Sequence, residues 1–186
     1  MSKTNAQIND VSKILKSGGL AILPAGTVYG IFCRADEYAA VRRIYALKAR
    51  DEKKPLQVFP GSVDKISKYA YVGKNKIKTI KKFLPGPYTI ILKSRKALPA
   101  LAGGHTIGIR VARGALINSV VRKVKAPLAA TSANISGESP PKKFKDIKKE
   151  VLNSVDCALK KDTAVSGRPS DIIDLTGERV EALKRG

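Results

Sequence analysis

Residues 126–137 read APLAATSANISG, an apolar run that breaks at its end into small hydroxyl and amide side chains. The first part, PLAAT (127–131), is short, bounded by Pro and rich in small apolar residues, as expected of a buried strand. Thr131, Ser132 and Asn134 then fall just beyond it. Ligands of open α/β sheets bind off the strand ends, so Ser132 and Asn134 stand where a phosphate or sugar is met. A turn in which Ser and Asn bond their own backbone accounts for the same step, and the segment alone leaves both readings open.

Outward from this strand the chain alternates strands with helices. LAILP (20–24), TVYGIF (27–32), PLQVF (55–59), YTIILK (88–93), TIGIRVA (106–112), VDCAL (155–159), DIIDL (171–175) and RVEAL (179–183) read as strands. Ile8, Val11, Ile14 and Leu15 recur at helical spacing and predict a helix over 4–17, capped by Thr4 or Asn5 and stopped at Gly18-Gly19. Asp36 is expected to cap a second helix with Ala40, Val41, Ile44, Tyr45 and Leu47 inward, delivering Lys48 and Arg50 at its end. Further helices are expected near 62–70, 74–83, 114–124 and 144–152. The pattern predicts an α/β fold, a twisted mixed β-sheet flanked by helices, in a single domain over 1–186. The strand order is not legible at this level.

The 186 residues contain 43% hydrophobic side chains, enough for a core that buries roughly 70% of the unfolded surface. With 36 Lys and Arg against 15 Asp and Glu, the net charge is +21. Residues 65–137 hold 11 Lys and 4 Arg without one carboxylate. Lys74, Lys76, Lys78, Lys81 and Lys82 can be read singly as a solvated helix face, but the whole acid-free stretch implies a positive surface suited to RNA. Aromatic residues make up 5%, so base stacking would be minor. Two cysteines, Cys33 and Cys157, build no disulfide framework. No apolar run approaches the ~20 residues of a membrane span, and the start MSKTNAQIND has no signal-peptide core. The expectation is a cytoplasmic protein with no membrane partner.

Several catalytic designs are excluded. His105, the one histidine, has no carboxylate near it in sequence and reads as a loop residue, so a Ser-His-Asp triad is not expected. Neither GxGxxG nor GxxxxGK[ST] occurs, and no carboxylate cluster predicts a protein-held metal. What remains is a dispersed set of small polar and cationic residues at strand ends. It comprises Thr27, Tyr29, Lys48, Arg50, Thr106, Arg110, Thr131, Ser132, Asn134 and Ser170.

Taken in order, PAGTVYG (24–30), Lys48-Ala49-Arg50, PGPYTIIL (85–92), TIGIRV (106–111), APLAATSANISG (126–137) and GRPSDIID (167–174) resemble the YrdC family of threonylcarbamoyl-AMP synthases in its short form. The pairing of KxR with SxN is that family's signature, and the resemblance runs from about Gly19 onward. It implies a YrdC-like, double-stranded-RNA-binding-like fold with a basic concave face. It also implies an enzyme joining L-threonine, bicarbonate and ATP into threonylcarbamoyl-AMP and pyrophosphate for tRNA modification by a separate transferase complex. Mg²⁺ would arrive with the nucleotide, with no tightly held metal. By resemblance Lys48, Arg50, Ser132 and Asn134 are the catalytic set. Lys54, Thr106 and Lys184 join them around ATP, while Thr27, Tyr29, Arg110, Ala130 and Ser170 surround threonine, Arg110 pairing its carboxylate.

The chain leaves the family pattern at Ala25, Gly26, Asp51, Lys54, Phe59 and Asp171, mostly on the threonine side. Two other functions use the same residues. One is an RNA-binding or ribosome-assembly protein of this fold without the reaction. The other is a carbamoyl-adenylate enzyme like the related domain of hydrogenase-maturation proteins.

Overall fold

The computed structural model describes residues 3–162, 165–177 and 180–183. Nine strands form one mixed sheet: β1 (Ala21–Pro24), β2 (Tyr29–Arg34), β3 (Gln57–Phe59), β4 (Tyr88–Lys93), β5 (Thr106–Ile109), β6 (Leu128–Ser132), β7 (Cys157–Ala158), β8 (Asp171–Asp174) and β9 (Glu181–Leu183). Their order is β7-β1-β2-β6-β3-β5-β4-β8-β9. The β1/β7, β3/β5 and β4/β8 pairs are parallel and the others antiparallel. Five helices accompany them: α1 (Lys3–Lys16), α2 (Tyr38–Lys48), α3 (Lys74–Phe83), α4 (Ala115–Val124) and α5 (Lys149–Asn153).

Alternation along the strands sends successive side chains to opposite faces. On one face Ile22, Ile31, Val58, Ile90, Ile109 and Ala129 pack with Ala40, Val41 and Ile44 of α2 and Ile80 of α3. On the other, Ala21, Leu23, Phe32 and Leu128 lie under Ile8, Val11 and Leu15 of α1 and Ile117, Val120 and Val121 of α4. The strands are buried because both faces are covered, which explains their nearly continuous apolar runs. The second face is covered only in part. Where α1 and α4 end, Gly30, Gln57, Arg110, Ala130 and Ser132 line an open cleft instead.

Several expected elements differ in detail. The helix expected at 62–70 is a single 3₁₀ turn, Ile66–Lys68. The chain then leaves extended, with Ala70 bridging Ser94 and the Tyr71 amide donating to Lys93 O (2.9 Å). The helix expected at 144–152 is divided into a 3₁₀ turn at Phe144–Asp146 and the short α5. Between them Ile147 is extended and buries its side chain in the core. Asp36 does not cap α2, whose N-cap is Glu37. It is held instead by Arg34, whose Nε and Nη2 each donate at 3.0 Å to its carboxylate.

One carboxylate ties three segments together. Asp156 Oδ2 accepts from the buried Leu20 amide (2.6 Å) at the entry to β1, and Arg43 of α2 donates to both its oxygens (3.0 and 3.2 Å). The Arg43 bond holds this carboxyl below the usual carboxylate range. Its stabilising effect is therefore complete at neutral pH and lost as acid protonates the folded protein through that lowered value. Asp156→Ala should cost about 1–3 kcal/mol by stranding the Leu20 amide. The deficit, measured by urea unfolding, should shrink as pH falls below 4.

Candidate active site

The cleft has a volume of about 550 Å³. The end of α2 supplies two of the expected residues and separates them. Ala49, between Lys48 and Arg50, adopts the left-handed conformation (φ 47°), and the Arg50 amide closes the turn onto Tyr45 O (3.0 Å). A non-glycine residue there costs on the order of 1 kcal/mol. The turn directs the two cations to different places.

Arg50 reaches the cleft wall. Its Nε donates to Lys54 O (3.2 Å) and its Nη2 to Pro55 O (3.2 Å), so the 51–55 loop wraps the guanidinium. Asp51 makes this loop itself: its carboxylate accepts from the Lys53 amide (2.9 Å) and its carbonyl from the Lys54 amide (3.0 Å). The Lys54 side chain is exposed and outside the cleft lining; its backbone carbonyl takes part, accepting also from Tyr45 Oη (2.8 Å).

Lys48 turns inward and is 2% exposed. Its ammonium donates to Ser132 O (2.6 Å), to Asn134 O and to Asn134 Oδ1 (3.4 Å). An ammonium has three protons, and three acceptors of the Ser-x-Asn segment take them. Lys48 is expected at the ATP phosphates; in this structure its ammonium fixes the loop after β6. Burial, with a smaller contribution from Arg50, lowers its pKa to about 8. Asn134 belongs to the same framework, its Nδ2 donating to Ile135 O and Glu138 O (both 2.8 Å), and it does not line the cleft. Ser132 does.

Of the residues expected around threonine, Thr27 and Arg110 line the same cleft. Arg110, 3% exposed, donates from Nη2 to Thr27 Oγ1 (2.6 Å) and Ala25 O (3.0 Å), with its guanidinium 5.7 Å from the centre of the Phe59 ring. Gly26 between those two partners takes φ +80°, the left-handed region that favours glycine, and its carbonyl accepts from the Ser166 amide. Ala130 and Ser170 line the cleft as well.

Tyr29 does not. Its neighbour Gly30 faces the cleft, so the ring points to the other face. There its hydroxyl donates to Asp162 (3.0 Å) and accepts from the Lys161 amide (2.9 Å), and burial first, then Asp162, raise its pKa to about 12. Thr106 shares the cleft face of β5 with Arg110 by alternation, yet it sits at the exposed start of the strand and is not among the lining residues. Lys184 lies outside the described residues. His105 is exposed in the loop before β5.

Two polar residues were not expected. Gln57 lines the cleft and donates from Nε2 to Thr89 Oγ1 (2.8 Å) and Ser170 Oγ (3.2 Å). The two hydroxyls are 2.7 Å apart. The signal was present: a lone amide in PLQVF and a lone hydroxyl in YTIILK break otherwise apolar strands.

The fold and cleft define an α/β protein in which a polar cleft, lined by two arginines, opens on one face of the sheet. Residues 13–186 match the Sua5/YciO/YrdC family model, described as "Telomere recombination", and the chain belongs to that family. It is similar to a Methanocaldococcus jannaschii protein, 37% identical over 177 residues that cover 95% of this chain and 84% of the relative. A Chromohalobacter salexigens threonylcarbamoyl-AMP synthase is 32% identical over 190 residues, covering 100% of each. Among solved structures, Pyrococcus abyssi Sua5 complexed with L-threonine superposes with a TM-score of 0.87 at 25% identity, over 96% of this chain and 54% of Sua5.

The Lys48 clamp has a measurable signature. A lysine whose folded pKa is lowered binds fewer protons folded than unfolded between about 8 and its ordinary value, so stability rises with pH in that window. Lys48→Met should destabilise the protein by about 2–4 kcal/mol at pH 7, since it strands buried carbonyls. The gap to the unsubstituted chain should widen from pH 7 to pH 10 in urea unfolding.

Proposed function

We propose that this chain is an L-threonylcarbamoyladenylate synthase. The amine of L-threonine displaces water from bicarbonate, or adds to its CO₂ equivalent and loses a proton, and the resulting carbamate oxygen attacks the α-phosphate of ATP. The Pα–O bond to the leaving group breaks, giving threonylcarbamoyl-AMP and pyrophosphate. The observation that carries this reading is the meeting of Arg50, Ser132, Arg110 and Ser170 in one cleft. The names of full-length relatives support it.

In this reading Arg50 binds the triphosphate, its planar fork suited to bidentate contact with phosphate. Ser132 contacts the nucleotide, with Lys48 and Asn134 acting on it through the loop they hold. Thr106 and the side chain of Lys54 engage the outer phosphates from the rim, and Lys184 also contributes to ATP binding. Arg110 pairs the threonine carboxylate, placed by Thr27, while Ala130 offers its backbone and Ser170 its hydroxyl. Positioning and cationic stabilisation are what such a displacement chiefly needs. In this reading Mg²⁺ arrives with the triphosphate.

We further propose that the protein works as one domain in the cytoplasm, that its acid-free segment makes a basic face for tRNA, and that a transferase complex collects the product. No described helix is long and apolar enough to cross a membrane.

Arg50→Ala should reduce threonine-dependent pyrophosphate release by at least a hundredfold, about 3 kcal/mol of transition-state stabilisation, while leaving the circular-dichroism spectrum and unfolding midpoint in place. Unchanged turnover overturns the assignment. A panel containing carbamoyl phosphate and other amino acids separates the synthase from a carbamoyl-adenylate enzyme. Affinity for tRNA should fall steeply between 50 and 200 mM salt, since phosphate contacts release counterions. A flat salt response in filter binding removes the RNA-facing role.

A further inference from the structure

The Gln57–Thr89–Ser170 cluster admits a proton count. A primary amide carries two protons, and a hydroxyl carries one proton and two acceptor lone pairs. Gln57 Nε2 lies within donating distance of both hydroxyls and, having no lone pair to offer, can accept a proton from neither. Only one bond remains between Thr89 Oγ1 and Ser170 Oγ at 2.7 Å, and it consumes one of the two hydroxyl protons. One is left over.

Burial decides which. Thr89 is 3% exposed, does not line the cleft and has no further acceptor among the described residues. A leftover proton there would be a buried unsatisfied donor, costing on the order of 1–3 kcal/mol. Ser170 is equally buried at 2% but lines the cleft. Thr89 therefore donates to Ser170, whose lone pairs are then filled by Thr89 and Gln57. The Ser170 O–H has nowhere to go except into the cleft.

We infer that Gln57 and Thr89 are positioning residues that make Ser170 an obligatory donor to the amino-acid substrate, and that its proton goes to the substrate's side-chain hydroxyl oxygen. The consequence is selectivity. Valine has the shape of threonine with a methyl in place of the hydroxyl, and would leave this proton unpaired against hydrocarbon. Sites built to hydrogen-bond a hydroxyl reject the analogue lacking it far more strongly than apolar pockets reject an extra group. The inference rests on the synthase reading.

Threonine and valine are compared as substrates by pyrophosphate release and as ligands by calorimetry. Gln57→Glu replaces both amide protons with acceptor oxygens, so the hydroxyls donate to it and Ser170 turns its proton out of the cleft. The threonine-to-valine ratio of kcat/KM should fall at least tenfold, through KM for threonine; whatever the added carboxylate costs in ATP affinity is common to both amino acids and cancels in the ratio. Ser170→Ala removes the donor itself, should lower the ratio as much, and covers the case in which the carboxylate variant does not fold. Thr89→Ser, which keeps the hydroxyl, should leave the ratio unchanged. An unmoved ratio in Gln57→Glu or Ser170→Ala overturns the relay, as does equal weakening toward both amino acids, which would put the Ser170 proton on the carboxylate. If the unsubstituted chain neither binds threonine nor turns it over, the synthase reading fails and takes the relay with it.

Discussion

The buried ammonium of Lys48 is the constraint on which the site depends. A charge taken out of water is costly unless its protons are met, and the acceptors that meet them are the carbonyls and amide of the segment leaving β6. The end of a helix on one face of the sheet is thereby coupled to the strand end that borders the cleft on the other. The KxR and SxN signatures thus act as one unit. Lys48 and Asn134 form the joint, and Arg50 and Ser132 are the parts it presents.

Around that joint the cleft is framed by backbone as much as by side chains. The 51–55 loop offers carbonyls to Arg50, and Ala25 offers one to Arg110. Two guanidiniums, those of Arg50 and Arg110, reach the same cleft, and each donates to backbone carbonyls. The Phe59 ring under Arg110 adds an apolar surface facing the cation, where the quadrupole of the ring face is attractive.

Much of this was legible in the sequence, for identifiable reasons. Strands such as LAILP and PLAAT announced themselves by apolar runs between Pro and Gly, and the helices with a clear stripe, α1, α2 and α4, appear close to their expected bounds. Pairing order was hidden, because β8 joins β4 and β7 joins β1 across long stretches of chain that no local pattern encodes. The segments at 62–70 and 144–152 carried helical residues whose tertiary partners, the Ala70–Ser94 bridge and the burial of Ile147, prevailed over propensity. Within the site, the polar residues picked out by type include Thr27, Arg50, Arg110, Thr131, Ser132 and Ser170, which line the cleft, and Tyr29, Lys48, Thr106 and Asn134, which do not. Residue type could not show that Lys48 and Tyr29 spend their polar atoms on protein partners, since side-chain direction depends on one left-handed residue in the first case and on strand parity in the second.

The placement of β8 has a temporal side. Arg50, Arg110 and Ser132 are all synthesised before Ser170, yet Ser170 lines the same cleft and is delivered by the strand that docks parallel to β4. A chain ending short of residue 170 would hold Arg50, Arg110 and Ser132 but neither the Ser170 hydroxyl nor β8, so in order of synthesis the arginines of the cleft precede the hydroxyl that faces them.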